Sequence, residues 1–119
     1  MLRDWRLFLD DIVECSRRVL DYTRGMSLDQ FVQDIRTYDA VLRNLEIIGE
    51  AVKRIPTEVR QQHPQIPWRQ VARFRDRLAH GYRTLNNDIV WGAIQSDVEP
   101  LLQEVQKILE RSDASPPGS

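Results

Sequence analysis

The segment RFRDRLAHGY, residues 73–82, sets Arg75 five positions before His80 and adds Tyr82 two positions later. A histidine titrates near neutrality and can take up a proton, while an arginine keeps its charge and offers a planar fork of donors to an anion. Together they suit acid–base work beside a bound anion. An ideal helix turns about 100° per residue, so positions 75 and 80 point about 140° apart on its surface. Joint action therefore requires that the helix end between them, or that a second copy of the chain bring the groups together.

Each residue also has a plainer reading. A histidine at a helix end is favoured by the helix dipole. Arg75 can pair with Asp76, or with Glu46 or Glu50 on a neighbouring helix, and Tyr82 can pack its ring on the bundle. Around the motif, Val71, Phe74 and Leu78 make a core stripe at steps of three and four. Ala72 and Ala79 lie three before and four after Arg75 and make a strip on which another backbone can approach closely. Arg69, Arg73 and Arg77, four apart, form a positive ridge that could bind RNA phosphates, although surface arginines taken by themselves more commonly mean a solvated face.

The elements that must position these residues are helical throughout. Trp5, Phe8, Ile12, Cys15, Val19 and Tyr22 repeat at helical steps and predict a helix over about 3–22, ended by Gly25. Ser27 with Gln30 reads as a capping box that opens a short second helix. A third stretch carries Tyr38, Val41, Leu45, Ile48 and Val52 and stops at Pro56. After a connection with one helical turn, Pro67 suits the first position of the motif helix, which Gly81 should end near His80. Asn86 or Asn87 caps a last helix running to about Arg111, with a kink expected at Pro100. No strand-period segment survives this reading. The expected fold is an all-α antiparallel bundle of four helices with an extra short helix, spanning residues 1–111, and 112–119 form a flexible tail.

Composition narrows the function classes. With 119 residues the chain suits one domain, small enough that self-association would help its stability. Hydrophobic residues at 41% and charged residues at 29% exclude a disordered chain, and a net charge of −1 means that any basic surface must be local. The single cysteine, Cys15, excludes an internal disulfide framework and fits a reducing cytoplasm, the expected location. No membrane span or signal peptide is expected. Glu46 and Glu50 lie one turn apart without an accompanying Glu-x-x-His pair, so no metal centre and no cofactor are expected.

Three stretches, RNLEIIGEAVKRIP, HPQIPWRQVARFRDRLAHGY and DIVWGAIQSDVEPLLQEV, resemble the HepT family of the HEPN superfamily over roughly residues 27 to 105. The family's signature, arginine, four residues, histidine, any residue, tyrosine, falls on Arg75, His80 and Tyr82. Trp68, Trp91 and the IPW entry to the motif helix strengthen the match. Asp76 stands where the family commonly has asparagine; as a supporting residue of the site it keeps a hydrogen-bonding group there but adds a negative charge near the phosphate.

The resemblance implies a homodimeric, metal-independent ribonuclease, the toxin of a two-gene module whose antitoxin is a minimal nucleotidyltransferase. If the motif helices pair across a two-fold axis through Ala72 and Ala79, both copies of Arg75 and His80 converge on one RNA cleft. His80 would accept the proton of the attacking 2′-hydroxyl, and Arg75 would stabilise the phosphorane oxygens. Tyr82 would be the acceptor of AMP from the partner enzyme, which silences the nuclease. Two other readings compete: a helical module that docks a nucleotidyltransferase or nucleotide without cleaving anything, and a structural dimer.

Overall fold

Helix α1, Trp5–Thr23, shows how local pattern becomes packing here. Its buried face runs through Leu9, Ile12, Ser16, Val19 and Thr23, and two of these five are polar. Thr23 turns its hydroxyl inward and donates to the Val19 carbonyl at 2.8 Å, which removes the cost of burying it. Tyr22, expected in the stripe, is instead 43% exposed because the stripe passes through its neighbour. Burial raises the Cys15 thiol pKa and leaves the group less reactive. Gly25 then turns the chain at φ 75°, a conformation that costs glycine nothing.

The computed structural model describes residues 4–79 and 86–114, with side chains as far as Arg111. Among them the remaining helices are α2 (Leu28–Gln33), α3 (Ile35–Arg54), α4 (Thr57–Gln62), α5 (Trp68–Ala79), α6 (Asn87–Ser96) and α7 (Val98–Ala114). The described residues contain no strand, and the fold is all-α as expected. The capping box is present in full: the Gln30 amide donates to Ser27 Oγ, and the Ser27 amide donates to the Gln30 side chain.

Helix α3 is the centre of the bundle, with α1 on one side and α5 on the other. Its buried residues accordingly occupy more than one stripe and include Asn44, Gly49 and Ala51 as well as the expected Val41, Leu45, Ile48 and Val52. Helix α7 packs on α1 and carries α6. Phe31 of α2 is fully buried and closes one end, its ring 5.1 Å from that of Tyr38 and 5.2 Å from that of Trp91. The two aromatic contacts join α2 to α3 and to α6. Among the described residues no helix is long and apolar enough to cross a membrane.

The fourth long element is interrupted, as Pro100 requires. The single helix expected to kink at Pro100 is broken one turn before the proline, at Asp97, which divides it into α6 and α7; Asp97 keeps a helical backbone, its amide donates to the Ala93 carbonyl and its own carbonyl accepts the Leu101 amide. Pro100 is the third residue of α7, in the first turn, where an amide has no intrahelical acceptor and its absence costs nothing. The proline thus permits a restart. The described residues include two short helices, since α4 fills the connection with six residues and buries Val59. Helix α7 continues three residues past Arg111, to Ala114, and the rest of the expected tail, 115–119, lies outside the described residues.

Candidate active site

The motif helix α5 is anchored at its start. Pro67 lies just before the first helical residue, and its carbonyl accepts the Val71 amide at 3.1 Å. The buried Trp68 donates its indole N–H to the His63 carbonyl at 3.0 Å. Leu78 is buried, and Val71, Ala72 and Phe74 are half-buried against the core. Of the alanine strip, therefore, Ala72 is already used within the protomer and Ala79 is exposed.

The close backbone approach at Arg75 is made by α3 of the same chain. A Cβ placed on Gly49 would overlap Cβ and Cγ of Arg75, so only glycine lets the arginine stem lie on the α3 backbone. Seated there, the side chain is 27% exposed. Its Nη2 reaches Glu50 Oε1 at 3.4 Å, and its Nη1 reaches Asp76 Oδ1 at 3.4 Å. Nε is buried and has no hydrogen-bond partner. The expected pairing of Arg75 with a carboxylate is thus observed, with Glu50 and not Glu46 as the α3 partner. Glu46 accepts from Arg43 instead.

Asp76 has a second cation. Lys53, one turn after Glu50 on α3, donates its ammonium to the same Asp76 Oδ1. Lys53 above all, and Arg75 after it, hold the Asp76 carboxyl below the usual carboxylate range. Its stabilising contribution is present above the ordinary carboxylate pKa of about 3.9 and is lost as pH falls through the depressed folded value. Near neutral pH the site therefore contains two cations and two carboxylates, all at least partly open to water.

Arg69, Arg73 and Arg77 are exposed along one side of α5, as a phosphate track requires. Helix α5 is described as far as Ala79, and His80 and Tyr82 lie outside the described residues. Among the described residues no three histidine, cysteine or carboxylate side chains gather as metal ligands would. Gly49 and Lys53 were not singled out by sequence reasoning. A glycine within a helix costs about 1 kcal/mol relative to alanine, and that cost was the available signal for Gly49. Lys53 had none, because its relation to Asp76 exists only after α3 meets α5.

A family model described as "Ribonuclease HepT-like" matches residues 12–108, from the middle of α1 to the last turns of α7. The chain belongs to the HepT-like ribonuclease family. A HepT-like relative from Thermococcus cleftensis, named "Probable ribonuclease HepT", is 38% identical over 108 residues, covering 91% of this chain and 98% of the relative. A protein of Methanocaldococcus jannaschii named "Putative RNase MJ0127" is 40% identical over 108 residues, covering 91% of this chain and 89% of the relative. No solved structure matches the chain. The HepT-like match includes α3 and α5 entire, and with them Gly49, Glu50, Lys53, Arg75 and Asp76.

Proposed function

We propose that this protein is a metal-independent endoribonuclease, the toxin of a two-gene module, whose working unit is a homodimer with two copies of Arg75 and His80 in one cleft. Family membership supports RNA as the substrate. The observation that carries the reading is the seating of Arg75 on Gly49, which holds a guanidinium at the surface of α5 one turn before the end of the helix. Two of its five N–H donors engage Glu50 and Asp76, so the terminal nitrogens retain protons for a phosphate.

The chemistry follows from the residue types. The 2′-oxygen of a bound nucleotide attacks the adjacent phosphorus as His80 accepts its proton, and Arg75 stabilises the growing charge on the phosphorane oxygens. The bond to the 5′-oxygen then breaks, and the second, protonated copy of His80 supplies the proton to that oxygen. The products are a 2′,3′-cyclic phosphate and a 5′-hydroxyl. The exposed Arg69, Arg73 and Arg77 guide the flanking phosphates. Incubation of RNA with the purified protein in excess chelator should give those ends by mass spectrometry. RNA left intact, or 5′-phosphate ends that disappear on chelation, would overturn the mechanism.

Tyr82 is the proposed point of control. Its partner, a minimal nucleotidyltransferase, attaches AMP to the phenol, and the added phosphate and nucleoside then occupy the space an RNA phosphate needs beside His80. With that enzyme, ATP and magnesium, intact mass should rise by one or more AMP groups, and peptide mapping should place them on Tyr82. The modified protein should no longer cut RNA. AMP carried on another residue would remove Tyr82 from the scheme.

A further inference from the structure

Asp76 poses an electrostatic problem for an arginine that must hold a phosphate. It lies next to Arg75 in sequence, its Oδ1 is 3.4 Å from Nη1, and it remains ionised near neutral pH. Glu50 contributes a second carboxylate to the same guanidinium. Arg75 with these two partners alone would carry a net charge of −1 and would repel the anion it is meant to bind.

We propose that Lys53 is a positioning residue of the arginine site: by pairing with Asp76 from the facing helix, it cancels the carboxylate that would otherwise repel an RNA phosphate from Arg75. The inference rests on the ribonuclease reading. Geometry supports it in three ways. Glu50 and Lys53 lie three residues apart, hence on one face of α3, and reach the two adjacent residues Arg75 and Asp76 on α5. Gly49 lets the two helices approach closely at this point, one turn from where Lys53 reaches Asp76. Finally, Lys53 and Arg75 both donate to Oδ1 of Asp76, which links the lysine to the clamp through a single carboxylate oxygen. Lys53 acts through Asp76 and need not touch RNA.

A charge-removal series tests this with two readouts on the full-length protein: affinity for a 2′-O-methyl RNA that cannot be cleaved, and turnover of the matching RNA. Removing one compensating charge near an anion in a watery site is worth roughly a factor of five. Lys53→Ala should therefore weaken binding about fivefold and slow cleavage, because the shield is lost while the carboxylate remains. Lys53→Arg should behave like the native protein. The decisive variant is Lys53→Ala combined with Asp76→Asn, which should recover most of the lost affinity because nothing remains to be shielded.

A merely structural salt bridge predicts no such rescue, since both substitutions break it. Thermal unfolding of the four proteins separates that case. A double variant as weak as Lys53→Ala, or a Lys53→Ala protein that binds and cleaves normally, would overturn the proposal. RNA bound with the expected pattern but never cut would instead refute the ribonuclease reading and leave the shielding in place.

Discussion

Arg75→Ala and His80→Ala should each lower RNA cleavage by about 100-fold or more, with helical content unchanged. The two losses have different origins. Without His80 the 2′-hydroxyl has no proton acceptor, and the reaction falls to the rate that binding alone supports. Without Arg75 the phosphorane loses its counter-charge, and Glu50 and Asp76, both beside the guanidinium now, are left facing the substrate. Because the arginine stem also packs on Gly49, alanine at position 75 removes contact as well as charge. Arg75→Met keeps an unbranched stem on the glycine and deletes only the guanidinium. Circular dichroism and single-turnover cleavage of the three variants check the prediction. An Arg75→Met protein with native turnover would show that the guanidinium has no part in the chemistry.

Gly49→Val should be the most damaging single change to the fold near the site. Its side chain would have to occupy space already held by Cβ and Cγ of Arg75, and neither helix can yield easily. Helix α3 is also packed on α1, and the start of α5 is tied down by Trp68. Forcing extra methyl groups into such a contact costs about 1–3 kcal/mol. The damage should extend beyond stability. Moving α5 away from α3 separates Arg75 from Glu50 and Lys53 from Asp76, so cleavage should drop even at temperatures where the variant remains folded. Thermal unfolding together with cleavage assays well below the midpoint would show both effects. Native stability and activity in Gly49→Val would mean that α3 and α5 do not meet at this glycine.

Much of the fold was legible because its determinants are local. Ser27 and Gln30 cap a helix through atoms three residues apart, Gly25 supplies a positive φ, and Pro56 ends α3 by the geometry of its own ring. The stripe of Val41, Leu45, Ile48 and Val52 follows from the helical period alone. Local pattern failed where polarity and burial part company. Thr23 displaced Tyr22 from the core because a threonine can satisfy its hydroxyl on the preceding turn, and a hydrophobicity pattern does not record that bond. Pro100 interrupts its helix as its missing amide requires, but where the break falls, at Asp97, and that it divides α6 from α7, depend on the packing of both pieces.

Residue types together with the family resemblance offered Arg75, His80 and Tyr82 as candidates, of which only Arg75 lies among the described residues, and residue types offered Asp76, Glu46 and Glu50 as partners for the arginine. Choosing among those partners required two helices to meet. Glu46 and Glu50 are one turn apart on α3, and only the register of α5 against that helix decides which carboxylate faces position 75. Gly49 sets how near the helices come, and Lys53 reaches Asp76 across 23 residues of sequence. Helical period carries information over a few residues, whereas an ion pair between elements depends on register and separation, which arise only when the bundle packs.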